Sequence, residues 1–215
     1  MARTELAPPA SAPGEKMTYE EFLTSYDGVW AEWVDGEVIV LMPPGTRHAL
    51  LTAFLTSILT IFAEVFKLGV VLSAPFQMKL GPGRSGREPD VLFIASEHLD
   101  RLLPTRLDGP ADLVIEIISP ESAHRDRHDK FLEYEAAGVP EYWLLDPDAR
   151  QAQFYRLGAN GRYELMAVDA AGVFHSEVLP GFWLRVEWLW QDPLPTVLSV
   201  IGELGLLGAT DRPNA

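Results

Sequence analysis

Apolar residues recur at three- and four-residue intervals through Leu51, Phe54, Leu55, Ile58, Phe62 and Val65, which predicts one long amphipathic helix over His48 to Lys67. Elsewhere the apolar positions alternate or form short runs, as in strands. Two such runs in WAEWVDGEVIVLM flank Asp35-Gly36, a turn dipeptide that predicts a hairpin. Strands are also predicted over Val70 to Leu80, Pro89 to Ala95, Leu113 to Ile118 and EYWLLDP, then in QAQFYRL, RYELMAV, GVFHSEV and FWLRVEWLW. Four shorter helices complete the pattern: MTYEEFLTSY, with Thr18 and Glu21 at capping-box spacing; Glu97 to Leu103; Arg125 to Ala137, stopped by Gly138; and VLSVIGELGLL. There is no internal repeat and no linker. The expectation is a single α/β domain over residues 17–207 with a mixed central sheet flanked by helices, an extra N-terminal hairpin and added C-terminal strands.

Composition narrows this picture. At 215 residues the chain is long enough for one full core and short for two. The absence of Cys removes disulfides and thiolate metal sites. The first 16 residues are rich in Pro and Ala without the apolar core of a signal peptide, and read as a disordered leader; residues 208–215 read as a loose tail. A cytoplasmic protein is expected. The run from Ala49 to Phe66 nearly reaches membrane-spanning length, but its Thr residues, Ser57 and Glu64 make it a core helix in this reading, and no membrane partner is expected. With 17 Lys and Arg against 31 Asp and Glu, the net charge is −14. Such a surface repels phosphate backbones, so any DNA contact has to be local and assisted by a metal.

One residue breaks the hydrophobic pattern in an informative way. Glu116 lies inside LVIEIIS, a run suited to a strand buried on both faces, where an unpaired carboxylate costs several kcal/mol. Asp90 opens one predicted strand and Glu37 starts the second arm of the hairpin, so three carboxylates on strands of one sheet offer the hard oxygen ligands that Mg²⁺ or Mn²⁺ prefers. Taken singly, each has a plain alternative: Asp90 as a turn residue after Pro89, Glu37 in solvent, Glu116 paired with an Arg. Asp126, Lys130 and Tyr134 follow at i, i+4 and i+8 and project from nearly one helix face. His48 at the start of the long helix is a further candidate, as ligand or phosphate contact. The fragment GPGRSGRE lacks the Gly-Lys-Ser/Thr of a phosphate loop, and no Gly-x-Ser-x-Gly or His-Glu-x-x-His motif occurs.

Asp90 in REPDVLF, Glu116 in LVIEIIS and the string SPESAHRDRHDKFLEYEAAGVPEYWLLDP together resemble the PD-(D/E)XK nuclease superfamily, and within it a large bacterial family of restriction-endonuclease-like proteins. The likeness runs from about Tyr19 to Trp190. It implies the restriction-endonuclease-like fold and a Mg²⁺- or Mn²⁺-dependent endonuclease that hydrolyses phosphodiester bonds of DNA. It implies that Asp90, Glu116, the Ile117 carbonyl and Glu37 hold the metal. The superfamily Lys expected two residues after the Glu is Ile118 here, so the resemblance assigns its role to Lys130, braced by Tyr134, with Lys79 in reserve. His48, Asp126 and Gln77 are secondary candidates. Two other readings fit the same residues: a catalytically inactive nucleic-acid-binding or regulatory module of nuclease fold, and a structural dimer whose carboxylates are met by Arg. The aromatic-rich FWLRVEWLW segment is compatible with a homodimer, although such a segment is more often core.

Overall fold

The computed structural model describes residues 16–119 and 125–207. The expected leader up to residue 15, the tail from residue 208, the Ser-Pro turn beyond Ser119 and His124 lie outside the described residues.

Helix α1 (Tyr19–Ser25) starts at Thr18 with the capping box complete in both directions. Strands β1 (Ala31–Val34) and β2 (Glu37–Val40) form the expected hairpin. Its turn residues, Asp35 and Gly36, both take positive φ, the conformation that makes Asp-Gly a hairpin signal. Helix α2 (Thr46–Phe66) follows. By length and composition it would suit a membrane span, yet Leu51, Phe54, Leu55, Ile58, Leu59 and Phe62 are buried in the core, each contributing about 1.5–3 kcal/mol.

The predicted strand from Val70 to Leu80 is two strands. It breaks before Pro75, which has no N–H for a ladder, and β3 (Gly69–Ser73) and β4 (Gln77–Lys79) enter different sheets. After β5 (Gly86–Arg87) and β6 (Val91–Ala95) comes a 3₁₀ turn at Ser96–Arg101, where a short helix was expected, and then β7 (Arg106–Asp108), too short to show periodicity. Strand β8 (Leu113–Ile117) leads to a π turn (Arg125–Asp129) that runs into α3 (Lys130–Ala137), which ends at Gly138 with φ 85°. The remaining elements are β9 (Glu141–Asp146), β10 (Gln151–Leu157), β11 (Tyr163–Leu165), β12 (Val173–His175), β13 (Trp183–Arg185), a 3₁₀ turn (Val186–Trp190) and α4 (Val197–Glu203).

A six-stranded mixed sheet in the order β11-β10-β9-β8-β6-β3 forms the centre. The parallel β8–β9 pair is joined through α3. A second sheet of five strands, β2-β1-β5-β4-β7, carries the N-terminal hairpin, and β12 pairs with β13 apart from both. On β8, Leu113, Ile115 and Ile117 pack into the core shared with α2, while Val114 and Ile118 join the core around Tyr134 and Tyr142. Glu116 belongs by alternation to this second face, toward α3. In the FWLRVEWLW segment Phe182, Leu184, Trp188 and Leu189 are core residues, so its apolar content is used within the chain.

Candidate active site

Strands β6 and β8 are antiparallel with Val91 opposite Ile115, so one step further along the register sets Asp90 opposite Glu116. Two chemically different strand ends thus bring their acids together. Asp90 is buried, and its Oδ2 accepts from the Ile117 N–H at 2.7 Å and lies 3.1 Å from His48 Nε2 in the first turn of α2. Burial alone would depress the His48 pKa, but the Asp90 hydrogen bond and charge, with Asp126 adding to them, raise it.

Glu116 is answered from α3. Tyr134 donates its hydroxyl to Glu116 Oε1 at 2.6 Å, and the Lys130 ammonium lies 2.9 Å from Oε2. The same ammonium lies 3.2 Å from Asp126 Oδ1 and 3.3 Å from Glu32 Oε1, so one charge is shared among three carboxylates. Lys130 is buried, which opposes its charge, yet Glu116, Glu32 and Asp126 raise its pKa and keep it an ammonium. Glu32 is met in addition by Arg87 Nη1 at 2.9 Å and by the Glu88 N–H at 3.3 Å, while Arg87 also makes a two-pronged contact, both N···O 2.8 Å, with Glu133 on α3. Burial would raise the Glu32 pKa, but Lys130, Arg87 and Arg125 hold it below the usual range.

Carboxylates outnumber nearby cations here, and protons make up part of the difference. Burial pushes Glu116 up to about 8, with Asp126 and Asp90 adding to the shift, and pushes Glu88 up to about 7 against the hydrogen bond from Gln77. Two buried oxygens, Glu88 Oε2 and Asp126 Oδ1, have no hydrogen-bond donor among the described residues; the Lys130 contact to the latter is an ion pair without hydrogen-bond alignment. All of Glu88, Asp90, Glu116, Ile117, Asp126, Lys130 and His48 line one cavity of about 640 Å³.

A pH dependence follows. Between the ordinary carboxyl value of 4.5 and about 8, the folded chain holds protons on Glu88 and Glu116 that the unfolded chain releases, so without added metal its stability falls as pH rises through this window. Urea unfolding at pH 5, 6, 7 and 8 checks this, and a stability that climbs over that range contradicts it.

The profile of the family described as "Uma2: Putative restriction endonuclease" matches residues 19–187. The chain belongs to this family. It is therefore a member of a nuclease family, and the PD-(D/E)XK resemblance seen in its motifs is borne out. Among solved structures, the Uma2-family chain is similar to "a putative nuclease belonging to DUF820 from Anabaena variabilis ATCC 29413", with TM-score 0.66 and 19% identity over 81% of this chain and 97% of that one. That likeness is one of fold, and the mixed sheet flanked by helices is restriction-endonuclease-like. No curated protein matches the chain.

In this Uma2-family chain Asp90, Glu116, Ile117, Asp126, Lys130, Tyr134 and His48 stand together at one place in the fold. Three candidates are not brought to it in that way. Glu37 is exposed next to the hairpin turn, paired with Val34 in the smaller sheet and absent from the cavity wall, because β2 is that sheet's edge. Lys79 points elsewhere: its ammonium sits 4.3 Å and 4.2 Å from the Tyr19 and Trp33 ring centres and donates to the Arg84 carbonyl, fastening α1 and β1 to β4. Gln77 acts one step back, donating to Glu88 Oε1 at 2.7 Å and the Ala31 carbonyl at 2.6 Å. Glu32, Arg87 and Glu88 are the participants that sequence reasoning missed. The signal for Glu88 was present in Glu88-Pro89-Asp90, since in an extended chain alternate residues share a side.

Proposed function

We propose that the chain is a Mg²⁺-dependent endonuclease acting on DNA. What carries the reading is the meeting of Asp90 and Glu116 across the β6–β8 register, in a cavity lined also by Glu88 and Asp126, each with a buried oxygen that has no donor among the described residues. The donor set fits a hard dication: oxygen ligands only, with negative charge in excess of the cations around it. Among the described residues no three ligand-type side chains form a ready-made cage, because Lys130 draws Glu32, Glu116 and Asp126 toward itself. Asp90, Glu116 and the Ile117 carbonyl would hold the ion, and Glu88 and Asp126 offer the unsatisfied oxygens. The chemistry such an ion supplies is Lewis-acid polarisation of the phosphodiester and a lowered pKa for a water molecule.

The chain's own residues do the rest. Lys130 keeps its proton, so it acts as a fixed positive charge that orients Glu116 and Asp126 and offsets negative charge gathering at the phosphate. Tyr134 fixes the Glu116 rotamer through its hydroxyl, and His48 holds Asp90. The aromatic segment behind the homodimer expectation is core.

The inactive-module reading is favoured by one observation, the Lys130 ammonium lying within 3.3 Å of three carboxylates. Adding Mn²⁺ while following Tm, and incubating with supercoiled plasmid or single-stranded circular DNA and Mg²⁺, separates the two. An endonuclease shows both a rise in Tm and nicked product. A rise in Tm with both DNAs intact leaves the binding module, and no rise in Tm removes the metal site.

A further inference from the structure

The cavity has two unlike sides. Opposite in character to the acids stands an apolar wall of Trp30, Val40, Met42, Pro43 and Pro44, from the lead into β1, the end of β2 and the loop before α2. This wall is open to solvent: Val40 is 51% and Met42 73% exposed. An apolar surface that borders a polar catalytic cavity marks a place for a ligand with an apolar face.

Among the described residues most cations of the same cavity are already engaged. Arg47 donates to the Leu189 and Gln191 carbonyls, Lys130 faces three carboxylates and His48 lies against Asp90, while Arg125 stands 3.7 Å from Glu32 without a hydrogen bond from its Nε. Duplex binding draws most of its affinity from Lys and Arg on phosphates, and a chain of net charge −14 with engaged cations at its cavity is poorly equipped for that. An unpaired nucleotide is different. It exposes base faces, and their stacking on aromatic and apolar side chains adds affinity that does not come from phosphate contacts. At about 640 Å³ the cavity falls in the range that encloses a small organic ligand, roughly 300–1,000 Å³.

We infer that the substrate is single-stranded DNA, with an unpaired base packed on the wall of Trp30, Val40, Met42 and Pro43 while its phosphate faces Asp90 and Glu116. The inference rests on the endonuclease reading for its chemistry, but its binding claim can be tested separately. The full-length Asp90→Asn variant is titrated with a fluorescein-labelled 12-mer, single-stranded or annealed as a blunt duplex, at one fixed salt concentration and read by anisotropy. In parallel, the wild-type chain is assayed for cleavage of both with Mn²⁺.

The single strand should bind at least about tenfold tighter than the duplex, and adding Trp30→Ala or Met42→Ala should weaken single-strand binding by about tenfold each while Trp30→Phe retains it. Met42 is on the surface, so its replacement leaves the fold intact even if Trp30→Ala does not. Equal binding of duplex and single strand, or indifference to Met42→Ala, overturns the inference. So does a dimer in sedimentation that Met42→Ala dissolves, because the wall then belongs to a second copy. Selective single-strand binding with neither DNA cut supports this subsite and overturns the endonuclease reading instead.

Discussion

Lys130→Met is expected to destabilise the protein by about 3–5 kcal/mol, a large part of the stability of a domain this size. The side chains are similar in volume, so the loss is electrostatic. It leaves Glu32, Glu116 and Asp126 buried without the ammonium that lies 3.3, 2.9 and 3.2 Å from them. Some of the penalty is relieved by protonation, and the destabilisation should therefore shrink toward pH 5. The check is urea unfolding of the variant at pH 5 and 8, with Glu116→Gln and the double variant beside it. The double variant should cost less than the sum of the singles, since the two residues share one interaction. Additive effects, or a loss below about 1 kcal/mol, would falsify the placement of Lys130 at the centre of this cluster.

Asp90→Asn should have the opposite profile: little change in stability and a cleavage rate lowered by about 10³ or more, the size expected when an oxygen ligand to a catalytic ion is neutralised. The amide oxygen can still accept from the Ile117 N–H, so the ends of β6 and β8 remain joined. Neutralising it removes charge from the side of the cavity where Glu116 stands. The rise in Tm with Mn²⁺ should disappear along with cleavage. Circular dichroism melts with and without Mn²⁺, run with a cleavage time course on plasmid and on single-stranded circular DNA, check both. A variant that keeps cutting at the wild-type rate would show that Asp90 serves only as a hydrogen-bond acceptor for the strand end.

Part of this site was legible because it is written in short-range periodicity. The spacing of Asp126, Lys130 and Tyr134 puts them on one face whatever packs against it, and a carboxylate at position 116 inside an apolar run demands a partner. The capping box at Thr18 and the Asp35-Gly36 turn are local in the same sense, and the structure has both. What was hidden depends on which surface another segment covers. In β1, Glu32 alternates with Ala31 and Trp33 and reads as the wet side of a hairpin; the fold covers that side with Arg87 and α3, so Glu32 is fully buried. Glu37 shows the converse. It starts a strand that ends up at a sheet edge, and no strand pattern distinguishes an edge from a centre. The division of residues 70–80 at Pro75 was readable in principle, because a proline in a central strand argues against that strand.

The ammonium of Lys130 has partners on both sheets, Glu32 on β1 of the smaller and Glu116 on β8 of the larger. It therefore closes the seam between them, assisted by Arg87, which ties β5 to α3 through Glu133. Pulling the seam apart would strand several charges at once, so the cavity floor is rigid by electrostatics rather than by close packing alone. The loop of residues 41–45 lines the same cavity, so it supplies a rim of different origin beside that floor.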